Sequence, residues 1–194
     1  MKIKRVPNLP SVFELSDISI PDDYTIDNLR KYSSFTADGY GRESAQSWYD
    51  DKTENFIMNL GREVNSRLKD MLTKEDVSTW WPFDYVKNYE MYINGEPTKG
   101  KGISFIIDKG GFNMGYHVDN GLSLATWIIN VKDNPNAHTV YANKDDMEWE
   151  EIYRGPDKKG TGVLHINRPE LYHCGINEGT EERAVLIGYF EIKN

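Results

Sequence analysis

The sequence predicts a mainly β protein with N-terminal helices, its core a double-stranded β-helix, or jelly-roll. Three observations point there: one apolar stripe at helical spacing before residue 72, a succession of short β-rich runs from residue 83 onward, and turn-forming residues between most of those runs.

The stripe runs from about Thr53 to Leu72, where Phe56, Leu60, Val64, Leu68 and Leu72 recur every fourth residue, with Ile57 and Met71 beside them. That spacing gives a helix one apolar face, which must lie on something. Before it, the polar segment Ser33 to Lys52 with its scattered aromatics reads as a long loop. Trp80-Trp81-Pro82 closes the helical region. The β-rich runs then fall at roughly 83–93, 103–107, 112–119, 122–131, 138–142, 148–153, 162–167, 171–176 and 183–192, divided by signals such as Asn94-Gly95, Gly110-Gly111, Asn120-Gly121 and Gly155-Pro156. Eight of these runs start at or after residue 103, the strand number of a jelly-roll.

At 194 residues the chain suits one domain spanning 1–194, with about 1–82 as helical and loop support and about 103–192 as the β-core. A hydrophobic share of 38% and a charged share of 28% describe a soluble globular protein. No apolar run approaches the roughly 18 residues of a membrane span. The N-terminal MKIKRVPNLPSVFEL lacks the apolar stretch of a signal peptide. A formal net charge of −8 argues against nucleic acid as a partner, because phosphate binding draws on clustered Lys and Arg. The expected location is the cytoplasm. A single cysteine, Cys174, excludes an intramolecular disulfide scaffold and reads as a small buried hydrophobe.

Within GFNMGYHVDN, the triplet His117-Val118-Asp119 places an imidazole and a carboxylate two residues apart. With 4 histidines and 16 aspartates in the chain, about one random shuffle in three would contain such a pair. On an extended strand, side chains two apart share a face, so the pair offers two metal ligands in one direction. His173 is the candidate third, from the penultimate run. A hairpin turning near Glu178-Gly179 would set Arg183 opposite His173, roughly 5 Å away. Two imidazoles and one carboxylate on one face of an octahedral Fe(II) leave positions for other ligands. An arginine beyond them would bind a carboxylate through two parallel hydrogen bonds.

The order His-x-Asp, His, then Arg ten residues later resembles that of the Fe(II)/2-oxoglutarate-dependent oxygenases. GFNMGYHVDNGLSLATWIIN followed by HINRPELYHCGINEGTEER is most similar to their prolyl-hydroxylase-like branch, including small stand-alone bacterial and phage enzymes. The resemblance spans about residues 103–192. It implies a double-stranded β-helix and a dioxygenase, that is, a hydroxylase. His117, Asp119 and His173 would be the iron ligands and the catalytic centre, and Arg183 the anchor for the distal carboxylate of 2-oxoglutarate. The implied cofactors are Fe(II) and 2-oxoglutarate as cosubstrate, with ascorbate admitted as a reductant. The implied outcome is hydroxylation of a prolyl, other amino-acid, peptide or small-metabolite C–H, with release of succinate and CO2. The partner is then a peptide, protein or small-molecule substrate, and the oligomeric state is open. Asp119 departs from the halogenating relatives, which carry a small residue there. Where many relatives have Gly-Gly-x-Thr this chain has Asn136-Ala137-His138-Thr139, and no tyrosine stands among Ile106, Ile107 and Asp108. The second contact to 2-oxoglutarate is therefore unassigned.

A different class of protein fits the same strands: a cupin-like binder of a metal or small ligand without turnover. Cupins tend to supply more histidines and have no need of an inward arginine on the last strand, so Arg183 discriminates. His138 and His165 read as hydrogen-bonded structural residues outside any metal's coordination. Trp127, in the alternating LSLATWIIN, reads as core, and Trp48, Tyr49, Trp80 and Trp81 as packing.

Overall fold

The computed structural model describes residues 1–32, 35–45, 51–77, 91–93, 103–119, 123–146 and 148–192. Two antiparallel sheets pack against each other. The larger holds β1 (Lys2–Arg5), β2 (Val12–Ser16), β3 (Thr36–Ala37), β4 (Arg42–Ala45), β5 (Met91–Ile93), β6 (Ile103–Asp108), β7 (Ala125–Asn130), β10 (Gly162–Ile166) and β12 (Arg183–Ile192). Its order is β1-β2-β10-β7-β12-β6-β4-β3, with β5 also paired to β12. The smaller holds β8 (Ala137–Asp145), β9 (Glu148–Arg154) and β11 (Tyr172–Asn177), in the order β11-β8-β9. Two helices, α1 (Ile26–Tyr32) and α2 (Asp51–Met71), complete the described elements.

Alternation along the strands sorts side chains between two cores. On β12, Ala184, Leu186 and Phe190 face the helical side, where Leu60, Val64 and Leu68 of α2 meet them in one cluster. Val185 and Ile187 face the other way, toward Tyr141 of the smaller sheet. β7 is buried on both faces, as a central strand between two apolar layers must be. Its Trp127 lies in the helical-side core, fully buried. Gly188 on the neighbouring strand leaves room for it: a Cβ there would sit 2.2 Å from the indole ring. β9, by contrast, reads Glu-Trp-Glu-Glu-Ile-Tyr-Arg and is almost wholly exposed, the charged edge that discourages further pairing.

The helix expected over about 53–72 is α2, and its stripe is the buried one. Three expectations need correction. The N-terminal part is more than helical and loop support. β1, β2, β3 and β4 all join the larger sheet: β2 and β4 pair with the distant β10 and β6, and β1 and β3 extend it by pairing with their chain neighbours β2 and β4. The segment 33–52, expected as loop, contains the β3–β4 hairpin over its described residues 36–45. The run 112–119 is no continuous strand. It touches β11 through two isolated bridges, Asn113↔Ile176 and His117↔His173, since Gly111 and Gly115 take positive φ and break the extended path. The tryptophans and tyrosine at 48, 49, 80 and 81 lie outside the described residues.

The first strand is tied to the end of α2 by Arg5, which pairs with the buried Asp76 carboxylate and donates to the Met71 carbonyl at 2.9 Å. Asp76 also accepts from the Thr73 backbone N–H at 2.7 Å and the Ser11 N–H at 3.1 Å. These bonds fix the N-terminal strands beside the helix that covers the larger sheet.

Candidate active site between the sheets

A cavity of about 70 Å³ opens between the two sheets, several times the space one water requires. His117, Asp119 and His173 stand on one side of it, and Arg183 and Arg42 on the other. The nearest ligand-type atoms of the first three all lie within 4.8 Å of one another.

The two histidines are oriented by backbone carbonyls. His117 Nδ1 is 3.0 Å from Gly115 O, and His173 Nδ1 is 3.3 Å from Leu171 O. A carbonyl only accepts, so each Nδ1 carries the proton and each Nε2 keeps its lone pair. Those Nε2 atoms lie 3.9 Å and 3.7 Å from Asp119 Oδ1, too far for hydrogen bonds. Three lone-pair donors thus converge on one space without satisfying one another, a set of two imidazoles and one carboxylate that fits a borderline divalent cation.

Burial and the neighbouring His165 push the His173 imidazole down to about 3, so it is neutral at physiological pH. Burial opposes ionisation of Asp119. His165 and Thr126, which hydrogen-bond its carboxylate, together with nearby His173, more than offset that, and its carboxyl is held well below the usual range.

Arg183 is 3% exposed. It donates to Thr139 Oγ1 at 3.0 Å, its Nη1 lies 3.6 Å from Asp108 Oδ2, and its buried Nε has no partner among the described residues. Burial brings its guanidinium down to about 10, with Asp108 pulling the other way; it is charged at neutral pH. Arg42, on β4, holds the buried Asp108 through two bonds of 2.6 and 3.1 Å and lies over the Phe112 ring. Two guanidiniums and one carboxylate leave this end of the cavity one positive charge in excess. Gly175, two residues beyond His173, makes room for both: a Cβ there would lie 3.0 Å from Arg183 Nη1 and 3.4 Å from Arg42 Nη2.

All four sequence-derived site residues therefore meet in one cavity. The route expected for Arg183 is not the one found. β11 and β12 form no hairpin; they belong to different sheets, because the chain from Glu178 to Glu182 crosses from the smaller to the larger. Arg183 reaches His173's neighbourhood across the gap between sheets. His138 is away from the site, against the Gly155 and Pro135 carbonyls. Cys174 points opposite to His173 and is buried with Val140 and Ile176, where burial pushes its thiol up to about 11. His165 is outside the set of converging atoms, as expected, yet its partners are side chains: Tyr141 Oη at 2.9 Å and Asp119 Oδ2 at 3.3 Å. Arg42, Asp108 and His165 were not read as site residues. Asp108 and His165 each stand at the end of or within an apolar run, whereas Arg42 lies in a polar segment that gives no such hint.

No family model matches the sequence, and no curated protein matches it. Solved structures do match. An oxidoreductase of the 2OG-Fe(II) oxygenase family from Burkholderia pseudomallei superposes with a TM-score of 0.61 at 12% identity, over 93% of this chain and 84% of that one. A Pseudomonas putida prolyl-4-hydroxylase gives 0.60 at 11% identity, over 95% and 94% of the two chains. A Trichoplax adhaerens prolyl hydroxylase, in complex with a hypoxia-inducible-factor oxygen-degradation-domain peptide fragment, gives 0.60 at 14% identity, over 95% and 84%. Sequences this different share an architecture and little else in common residue by residue. The fold of this chain is that of the Fe(II)/2-oxoglutarate oxygenases, prolyl hydroxylases included.

Proposed function

We propose that the chain is a single-domain Fe(II)- and 2-oxoglutarate-dependent dioxygenase whose two sheets form a double-stranded β-helix. In this reading His117, Asp119 and His173 hold Fe(II), and Arg183 anchors the distal carboxylate of 2-oxoglutarate. The observation that carries it is the pairing, in one cavity, of three converging ligand atoms with a buried guanidinium whose Nε has no partner among the described residues.

Iron held by His117, Asp119 and His173 would supply, with 2-oxoglutarate and dioxygen, the oxidising chemistry that hydroxylates a substrate C–H and releases succinate and CO2. The chain's own part is orientation. Gly115 O and Leu171 O hold Nδ1 of His117 and His173, so both rings are oriented with Nε2 toward the site. The Arg183 fork matches a carboxylate in two-point geometry. Ile128, Ile187 and Tyr189 wall the cavity and limit its water. The substrate class this reading favours is a prolyl or other amino-acid residue, free or in a peptide, or a small metabolite. A peptide accompanies one of the structurally similar prolyl hydroxylases. The proposed setting is cytoplasmic; no helix among the described residues is long and apolar enough to cross a membrane.

The competing reading is a cupin-like metal or ligand binder, to which the third nearby imidazole, His165, lends support. Against it, both His165 ring nitrogens already have partners, and the inward Arg183 has no task in such a site. Anaerobic addition of Fe(II) and 2-oxoglutarate tests the two: the oxygenase gives a weak visible charge-transfer band, a non-chelating binder none. A screen for succinate release across peptides, amino acids and nucleic acids, set against uncoupled turnover, then finds the substrate.

A further inference from the structure

Behind Asp119 lies a buried polar chain that the proposed reaction does not use. Asp119 Oδ2 accepts from the Thr126 hydroxyl at 2.5 Å and lies 3.3 Å from His165 Nε2. His165, on β10, is fully buried, and its Nδ1 is 2.9 Å from the hydroxyl of Tyr141, itself fully buried on β8.

The proton positions in this chain follow from which atoms can donate. An ionised carboxylate only accepts, so His165 Nε2 carries a proton and gives it to Asp119. His165 Nδ1 and the Tyr141 hydroxyl share the second hydrogen bond. Leaving such groups unpaired in a buried place is costly, so the members of the chain hold one another in position. Its effect on Asp119 is asymmetric. Oδ2 is occupied by two donors, whereas Oδ1, facing His117 Nε2 and His173 Nε2, has none within bonding distance among the described residues.

We infer that His165, oriented by Tyr141, is a positioning residue that ties down Asp119 Oδ2 so that Oδ1 alone is offered to the metal. The inference rests on the metal-site reading above. Without this tie Oδ2 keeps only the Thr126 hydroxyl, and the carboxylate is held less firmly against presenting both oxygens, which would take up a coordination position and misalign the two imidazoles. His165 itself stays off the metal, since both its nitrogens are engaged.

The test uses the full chain titrated anaerobically with Co(II), read by dissociation constant and by the visible d–d spectrum, neither of which needs turnover. His165→Phe should weaken Co(II) binding by about 10- to 100-fold, the usual cost of losing a hydrogen bond behind a ligand, and alter the d–d band. His165→Gln, whose amide N–H can donate to Oδ2, should return affinity to within about 3-fold of wild type. Tyr141→Phe should fall between the two. A structural residue would move thermal stability without this rescue or the spectral change. Affinity of His165→Phe within about 2-fold of wild type, with an unchanged band, would overturn the inference. So would complete loss that glutamine fails to restore, since that would make His165 a ligand. Should His165→Phe not fold, an unchanged Tyr141→Phe titration overturns it. Wild type that binds no Co(II) would sink the metal-site reading itself. Tight wild-type binding abolished by His117→Ala but untouched at His165 would sink only this role.

Discussion

Gly175 and Arg183 meet across the gap between the two sheets: a Cβ at Gly175 would stand 3.0 Å from Arg183 Nη1. The glycine's φ is not positive, so backbone strain is no reason for it; the reason is space for the guanidinium. Gly175→Ala should therefore push Arg183 from its position while leaving the three ligand atoms alone. The expected result is a rise of about 10-fold in the apparent KM for 2-oxoglutarate with Fe(II) affinity near wild type. An unchanged KM would mean that the guanidinium position is immaterial.

Arg183 itself should be read out by cosubstrate. Arg183→Ala should raise the 2-oxoglutarate KM by at least about 10-fold, on the order of 1.5–3 kcal/mol for a charge-assisted bond. Arg183→Lys, which keeps the charge but loses the planar fork, should be intermediate. Shorter 2-oxo acids without the second carboxylate should separate wild type from the alanine variant poorly. Kinetics with a series of 2-oxo acids decide this.

His117→Ala, Asp119→Ala and His173→Ala should each abolish tight Fe(II) binding in anaerobic titration, with folding retained by circular dichroism. The partly exposed His117 contributes little packing, so its variant should also keep a near wild-type melting temperature, whereas Asp119→Ala removes the acceptor of the buried His165 and Thr126 and should melt lower. Wild-type iron affinity in any variant would remove that residue from the site.

Much of this site was legible because its chemistry is carried by residue order. His117 and Asp119 share a direction whether their segment is a true strand or, as found, an extended piece held by single bridges. Arg183 was found for a partly wrong reason: the hairpin that pointed to it does not exist, yet both strands turn alternate residues into the same inter-sheet space. Arg42 was not legible. It sits in a polar segment, and its partner Asp108 is 66 residues away, so no local pattern links them. His165 shows the same limit: alternation says which face of β10 it occupies, but its partnership with Asp119 across 46 residues is a product of sheet order.

Metal-free protein should lose stability in mild acid through His173. Burial lowers its imidazole from an ordinary 6.5 to about 3, so between those values the unfolded chain binds a proton that the folded chain refuses. Stability is full above 6.5 and falls as pH drops through the window, by up to about 1.4 kcal/mol per pH unit. Urea unfolding at pH 7 and pH 5 should show the loss, and His173→Leu should reduce it. Equal losses in both proteins would assign the acid sensitivity to other groups.

Gly188→Ala should be among the most damaging single-methyl additions, because the new Cβ would meet the Trp127 ring at 2.2 Å in the helical-side core. Overpacking of this kind costs about 1–3 kcal/mol or more. Urea unfolding midpoints measure it, and a loss under about 0.5 kcal/mol would show that the indole has room to shift.

The bridge between His117 and His173 joins distant parts of the chain, and the arginine cluster needs β4 against β6 as well as β8 beside β11. None of these pairings is local. Because distant pairings incur their loop-closure entropy before they gain contacts, such topologies fold slowly, and their last contacts form late. A nascent chain therefore holds at most the local His117–Asp119 pair, and His173 joins it only once the sheets have closed. On the metal-site reading proposed above, metal uptake should follow closure of the sheets, and its rate after dilution from denaturant should report the slowest refolding step.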